Sequence, residues 1–91
     1  MSRLTTKVLH MNTDRITKAL AQVVSAAIKA DGQTQRKIAE ATGIPLVTLN
    51  RRLTGQSAFN VVELASIAKV LDLSIVEFFL RVERMATANA A

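Results

Sequence analysis

Apolar side chains recur every three or four residues along most of this chain, and glycines and helix-capping residues divide the pattern into short segments. Valine and isoleucine follow this helical spacing rather than the alternation typical of strands. Each segment can therefore place its apolar residues on one helix face and bury them against its neighbours. The 91 residues suffice for one domain with a single core. The pattern predicts a compact all-α domain of five short helices.

The first helix boundaries are predicted from a cap and two glycines. The first helix spans roughly residues 13–30, with Asn12 as its N-cap and Gly32 just past its end. A second helix begins after Thr34 and ends at Gly43, since glycine adopts the positive φ that ends many helices without steric cost.

The later helices have clearer starting signals. A third helix begins near Pro45. Asn60 and Ser74 are each followed three residues later by a glutamate, Glu63 or Glu77. In this capping-box pattern, the cap side chain and the glutamate carboxylate each accept a hydrogen bond from the other residue's backbone amide. The fourth and fifth helices are therefore predicted to begin at these positions. The domain spans residues 12–85, between a basic tail at 1–11 and an alanine-rich end at 86–91 that is expected to fray.

The composition excludes several classes of function. The chain has no cysteine and one histidine, so it offers no disulfide framework, no thiolate metal site and no cluster of metal ligands. No carboxylate pair converges and no glycine-rich loop is present, so we expect neither an enzyme, nor a cofactor, nor a small-molecule ligand. The longest apolar run, ALAQVVSAAI, is too short to cross a bilayer, and the N-terminus has no signal segment. We therefore expect a cytoplasmic protein that does not contact a membrane.

The net charge of +5 is unevenly distributed. Residues 1–31 carry five basic and two acidic side chains, residues 32–60 carry four and one, and residues 61–91 carry three and four. The basic excess therefore lies in the first two thirds of the chain. This asymmetry supports a side that faces nucleic acid and a neutral side that can pair with protein.

The stretch TQRKIAEATGIPLVTLNRRLTG, at residues 34–55, has the spacing of a helix-turn-helix. Such a motif needs an apolar anchor in its first helix and a very small residue where the helices cross. It then needs a turn glycine and apolar anchors leading into the second helix. The chain supplies these in order as Ile38, Ala39, Gly43, Ile44 and Leu49.

This stretch resembles the helix-turn-helix of the Cro and phage-repressor superfamily, and FNVVELASIAKVLDLSIVEFF resembles that family's fourth and fifth helices. The resemblance covers about residues 12–80. It implies a lambda-repressor-like fold whose third helix enters the major groove of DNA. Thr42 and Arg52 stand where the family usually has apolar residues, and Pro45 where it often has a capping Ser or Thr. Leu53 can replace the missing apolar anchor.

The third helix separates into a buried side and an outer side. At about 100° per residue, Leu49 and Leu53 point to the core, and Leu46 lies at the border. The outer side carries Val47, Asn50, Arg51 and Thr54. No acidic residue lies near enough in sequence to neutralise Arg51 and Arg52, although a solvated face normally mixes both signs. This combination favours a polyanionic partner that also carries apolar groups, and the major groove of DNA has both.

Four residues are predicted to read bases. Arginine can donate two hydrogen bonds to guanine O6 and N7, asparagine can pair with adenine, and the methyl groups of leucine and valine suit the thymine methyl. The predicted set is Leu46, Val47, Asn50 and Arg51. The resemblance implies the same role for Leu46, Val47 and Arg51. The alternative for Leu46 is a place in the core.

A second set is predicted to contact the DNA backbone. The resemblance implies phosphate contacts at Gln35, Thr54 and Asn60, with a further contact at Ser57. Gln35 and Asn60 also begin helices, where free backbone amides favour a phosphate. Arg52 is predicted to contact the backbone too, or to cover the core with its aliphatic stem. Ser57 and Asn60 have a simpler alternative as turn and cap residues.

The basic tail and the fifth helix carry two further predictions. The tail, with Arg3, Lys7 and His10, looks like the duplex-wrapping arm of some family members, and the alternative is an unstructured tail. The inner stripe of the fifth helix is Ile75, Phe78, Phe79, Val82 and Met85, and Val76 and Leu80 widen it beyond the needs of one small core. In the family, pairing of this helix sets two recognition helices about one DNA turn apart. We therefore predict a homodimer through Val76, Phe79 and Leu80, with burial of Val76 and Leu80 under the first helix as the alternative.

These patterns together favour a sequence-specific regulator that binds a double-stranded DNA operator. The resemblance implies a repressor of the phage or prophage type, acting in the cytoplasm of a bacterial host and associated with its nucleoid. The competing hypothesis is a protein-interaction module, antitoxin-like or anti-repressor, that keeps the helix-turn-helix as a scaffold. The two apolar residues on the outer side of the third helix, Leu46 and Val47, keep that alternative open.

Overall fold

The computed structural model describes residues 13–90, with the side chains of residues 14–86. This part of the chain consists of five α-helices joined by short turns. They are α1 (Thr13–Ala30), α2 (Gln35–Thr42), α3 (Leu46–Leu53), α4 (Val61–Val70) and α5 (Ile75–Ala90). The predicted all-α architecture is confirmed.

The core is built from one face of each helix. Its largest fully buried side chains are Phe78, Ile38, Leu49, Ile67 and Val24. α1 packs mainly against α5, while α2 packs against α3 and α4. Helices as short as α2 and α3, eight residues each, are not stable alone in water. This shared core therefore holds the two helices of the motif in place.

The predicted helix ends of α2 are confirmed. Thr34 Oγ1 accepts a hydrogen bond from the Lys37 backbone amide at 3.1 Å. Gly43 has a φ of 80° and donates its N–H to the Ala39 carbonyl at 2.9 Å. A residue with a β-carbon would be strained at that φ, so the turn depends on the glycine.

The two predicted capping boxes have different outcomes. At the start of α4, the box is complete: Asn60 Oδ1 accepts from the Glu63 amide at 2.7 Å, and Glu63 Oε1 accepts from the Asn60 amide at 3.0 Å. At the start of α5, Ser74 Oγ accepts instead from the Val76 amide at 3.2 Å. The carboxylate of Glu77 accepts from Arg81 Nε at 2.9 Å, four residues further along the helix. The prediction of a box at Ser74 was therefore wrong: the serine caps the Val76 amide, and the glutamate carboxylate pairs with Arg81.

Several predictions concern the two ends of the chain. The expected N-cap Asn12 and the basic tail with Arg3, Lys7 and His10 lie outside the described residues. At the other end, α5 remains helical to Ala90, so the domain boundary expected at residue 85 does not coincide with a helix end. Within residues 13–90, none of the helices is both long enough and apolar enough to cross a membrane.

Candidate nucleic-acid interface

α2, the turn at Gly43 and α3 form the helix-turn-helix. The three apolar anchors predicted from the sequence, Ile38, Ile44 and Leu49, are buried, and so is Ala39, the small residue predicted at the helix crossing. Leu53 is buried as well, as expected for a residue that replaces the missing anchor. Two contacts from α1 fix the far end of α3. Ser25 Oγ donates to the Leu53 carbonyl at 3.2 Å, and Gly55 approaches α1 so closely that a β-carbon there would lie 3.2 Å from Lys18 Cγ.

Thr42, which departs from the family pattern, has a local structural role. Its hydroxyl donates to the Ile38 carbonyl at 2.7 Å and accepts from the Ile44 amide at 3.3 Å. A half-buried threonine thus satisfies two backbone groups beside the turn, one in α2 and one leading into α3. Such groups cost free energy when they are left unpaired away from water. The polar residue therefore fits a place where the family usually has an apolar one.

The outer side of α3 faces solvent, as the helical projection predicts. Leu46, Val47, Asn50, Arg51 and Thr54 are all exposed, and Val47 keeps 65% of its surface accessible. Leu46 is therefore a surface residue, and the alternative prediction that it lies in the core is wrong. We name Leu46, Val47, Asn50 and Arg51 the α3 face.

The α3 face and the start of α2 line one shallow depression of about 460 Å³. Its wall includes Gln35, one of the predicted backbone contacts, together with all four residues of the α3 face. Asn50 Nδ2 lies 3.3 Å from Gln35 Oε1 and donates a hydrogen bond to it. The structure thus brings together residues from two helices that the sequence assigned to one interface.

Two further residues in this depression were not predicted as contacts. Arg36 follows Gln35 at the start of α2, and Gln56 lies in the loop after α3. A signal for Arg36 was available, because this cationic residue directly follows the predicted phosphate-contacting Gln35 in the sequence. Gln56 had no such signal, since its place in the depression depends on how the loop folds back.

The charges around the α3 face are uncompensated. Among the side chains of residues 14–86, no ion pair involves Arg36, Lys37 or Arg51. Arg51 also makes no side-chain hydrogen bond within that part of the chain. Its guanidinium therefore keeps all of its donors available to a ligand.

Arg52 differs from its neighbour, and the expectation that no acid neutralises it was wrong. Its Nε lies 3.0 Å from Glu63 Oε1, and its Nη2 donates to Glu63 Oε2 at 3.3 Å. Nη1 donates to Ser57 Oγ at 2.6 Å. Glu63 is eleven residues away in sequence and reaches Arg52 only because α4 turns back beside α3.

The environment of Glu63 fixes its charge. Burial by itself would raise the pKa of this carboxyl group. The hydrogen bonds from the Arg52 side chain and the Asn60 backbone, with the positive charge of Arg52, outweigh that effect and lower the pKa below its usual value. The carboxylate is therefore ionised near neutral pH and compensates the charge of Arg52.

The other predicted backbone contacts have local partners. The Thr54 hydroxyl donates to the Asn50 carbonyl at 2.9 Å, so it must rotate before it can donate to a phosphate. Ser57 is half-buried beside Arg52, and Asn60 uses its side-chain oxygen as the cap of α4. The Asn60 Nδ2 group and the first amides of α4 remain as donors for an anion.

On α5, three large apolar side chains are exposed. They are Val76, Phe79 and Leu80, with 54%, 41% and 41% of their surface accessible. The alternative in which the first helix covers Val76 and Leu80 is therefore wrong. Phe79, which the periodicity placed in the inner stripe, is also on the surface, whereas Phe78 and Val82 are buried. We name Val76, Phe79 and Leu80 the α5 stripe.

The described residues hold no group of three or more histidine, cysteine, aspartate or glutamate side chains that could bind a metal ion. The arrangement they do hold is a helix-turn-helix with an exposed, cationic second helix, packed on three further helices. This fold and surface define a helical DNA-binding domain.

Comparison with known proteins identifies the family. Residues 25–78, more than half of the chain, match the family profile described as helix-turn-helix, and the chain belongs to this Cro/repressor-like (XRE-type) family. The protein is thus a DNA-binding transcriptional regulator, and its family supports the expectation that it is not an enzyme.

The fold is also similar to a solved structure. The clp gene regulator ClgR from Corynebacterium glutamicum superposes with a TM-score of 0.76 at 22% sequence identity, over 81% of this chain and 79% of that one. This likeness supports the helix-turn-helix fold. No curated protein matches the sequence at a significant level.

Proposed function

We propose that this protein is a repressor of the phage or prophage type that binds an operator as a homodimer, with α3 in the major groove. Occupancy of the operator would block RNA polymerase and would need no cofactor. The observation that carries the proposal is the α3 face, on which an unpaired Arg51 stands beside Asn50 and two exposed apolar side chains. A base edge in the major groove offers a partner to each of these side chains.

Base reading is assigned to Leu46, Val47, Asn50 and Arg51, as the sequence predicts. The hydrogen bond from Asn50 to Gln35 supports one refinement. With one amide hydrogen given to Gln35, Asn50 keeps its Oδ1 as an acceptor, which suits the exocyclic amine of adenine or cytosine. Gln35 in turn keeps its Nε2 hydrogens for a phosphate. The two side chains would then hold the recognition helix in register with the DNA backbone.

The phosphate contacts are assigned to Gln35, Thr54, Ser57 and Asn60, with Arg36 added from its place in the depression. Arg52 is left out of this set, because its guanidinium is held by Glu63 and Ser57. To bind Arg52, a phosphate would have to displace the Glu63 carboxylate, which already accepts two hydrogen bonds from the Arg52 guanidinium.

The α5 stripe supports the homodimer. Three large apolar side chains on one helix face exceed the scattered exposure usual for a monomer. A two-fold pairing of α5 would cover them and present two α3 helices to successive major grooves.

Selection of bound duplexes from a random DNA pool tests the proposed function. We expect an enriched site with two half-sites about one helical turn apart. Enrichment of no sequence at low salt would contradict the proposal. It would favour the interaction module, for which exposed Val47 is the supporting observation.

A further inference from the structure

Arg52 and Glu63 connect the end of α3 with the start of α4. Their guanidinium and carboxylate groups meet through two hydrogen bonds, Nε to Oε1 at 3.0 Å and Nη2 to Oε2 at 3.3 Å. Both side chains are largely shielded from water, with 22% and 14% of their surface accessible. A paired geometry of this kind fixes orientation as well as distance.

The same two residues hold both ends of the loop between these helices. Arg52 Nη1 donates to Ser57 Oγ at 2.6 Å, and Glu63 Oε1 accepts the Asn60 backbone amide at 3.0 Å. Ser57 and Asn60 are two of the residues to which phosphate contacts are assigned above. Arg52 and Glu63 thus contact each other and one phosphate-contacting residue each.

Arg51 and Arg52 are adjacent but differ in what they can do. Arg51 is exposed and makes no ion pair within the described residues, whereas all three guanidinium nitrogens of Arg52 are engaged. Removal of Arg52 from its partners would leave the Glu63 carboxylate partly buried and unpaired. The structure therefore favours a role for Arg52 inside the protein over a role on the DNA.

We propose that Arg52 and Glu63 are positioning residues, which hold the loop at residues 54–60 in its DNA-binding shape before DNA arrives. The inference rests on the proposed function, because it assigns a purpose to the loop in DNA binding. A loop that is ordered in advance does not lose conformational freedom on association, and this raises affinity without an added contact. Arg52 then contributes to binding through Ser57 and Asn60, and it does not touch a phosphate.

A charge-neutral double variant, Arg52→Met with Glu63→Gln, tests the inference. Glutamine keeps the capping box at Asn60, so the change mainly removes the link between the two helices. The probe is a duplex enriched from the random pool. Its dissociation constant is measured over a series of salt concentrations, and amide hydrogen exchange is followed in residues 54–60. The matched control is Arg51→Met, which removes the neighbouring free guanidinium.

The two variants should behave differently. The double variant should bind on the order of tenfold more weakly at every salt concentration, with an unchanged salt slope and faster exchange in the loop. Arg51→Met should leave loop exchange unchanged, and the lost base contact should weaken binding to the enriched duplex and relax the preference at one base pair per half-site.

Three outcomes for the double variant overturn the inference. They are a salt slope reduced by about one unit per subunit, weaker binding with unchanged loop exchange, and faster exchange with unchanged binding. A wild-type chain that binds no duplex overturns the proposed function itself, and the inference with it.

If the double variant does not fold, the single variant Arg52→Lys tests the inference instead. Lysine keeps the charge but cannot bridge the carboxylate and Ser57 together. If Arg52 is a positioning residue, Arg52→Lys should bind DNA more weakly, with an unchanged salt slope and faster amide exchange in residues 54–60. Full affinity with lysine would show that only the charge matters, as for a phosphate contact, and would overturn the inference.

Discussion

The α3 face and the α5 stripe both expose large apolar side chains, but they differ in their charges. Arg51 on the α3 face and Arg36 beside it make no ion pair within the described residues. Beside the α5 stripe, Glu77 accepts Arg81 at 2.9 Å and lies 3.8 Å from Arg84. The hydrogen bond from Arg81 lowers the pKa of Glu77 and outweighs the opposing effect of burial. Exposed apolar area is therefore shared by the two surfaces, and charge compensation distinguishes them.

This difference indicates which partner each surface suits. An uncompensated cationic surface attracts a polyanion, and its apolar groups can then meet thymine methyls. A compensated surface has no long-range preference for an anion, so its apolar side chains suit another protein surface, such as a second copy of α5.

The largest expected effect is on assembly. Leu80→Glu should leave a folded monomer, because a charge buried against its symmetry mate is strongly unfavourable, whereas an exposed monomer surface tolerates it. Loss of the second half-site should then weaken operator binding by on the order of 100-fold or more. Sedimentation and binding to the enriched duplex measure both effects. Val62→Glu, at a still more exposed valine on α4, is the control for assembly. A wild type that is monomeric even on DNA would remove the distinction between the two surfaces.

The next largest effect distinguishes base reading by Arg51 from sequence-independent electrostatic attraction to DNA. Arg51→Ala should cost about 1–3 kcal/mol on the preferred site and relax the preference at one base pair per half-site. The matched control is Arg84→Ala, which removes the same charge from an exposed arginine beside the α5 stripe. A panel of single-base operator variants measures the specificity. If Arg51→Ala and Arg84→Ala weakened binding by the same factor on every operator of the panel, Arg51 would read no base.

Salt dependence tests the charge difference directly. The logarithm of the association constant should fall against log salt with a slope on the order of −4 to −7, if about five to eight phosphates are contacted per dimer. Monomeric Leu80→Glu should show about half that slope, since it makes half the contacts. Titrations of both proteins provide the comparison. A flat response of the wild type would favour the interaction module.

The smallest expected effect is on the pH dependence of stability. The pKa of Glu63 is lower in the folded chain than in the unfolded chain, so its stabilisation is fully present above the unfolded pKa and is lost as pH falls through the folded pKa. Wild type should therefore lose more unfolding free energy than Glu63→Gln on acidification through this range. Denaturant titrations at a series of pH values measure the difference. Parallel curves for the two proteins would show that the pair with Arg52 contributes no stability.

Much of the fold was predictable because its signals are local. The helical spacing, the cap at Thr34, the turn at Gly43 and the capping box at Asn60 each depend on residues within one or two turns of each other. The buried anchors of the helix-turn-helix follow from the same short-range periodicity, and so does the exposure of Val47, Asn50 and Arg51. For these features the sequence was sufficient, since neighbouring residues on one helix fix them.

Other features depended on helices that meet only in the folded chain. Glu63 neutralises Arg52 across a loop, and Asn50 meets Gln35 across the turn, at separations of eleven and fifteen residues. The exposure of Val76 and Leu80 depended on how α1 and α5 pack, because both arrangements were compatible with the same apolar periodicity. The sequence by itself determined the five helices, the helix-turn-helix and the outer side of α3. Only the tertiary structure decided that Arg51 is free while Arg52 is held, because that choice depends on where α4 brings its carboxylate.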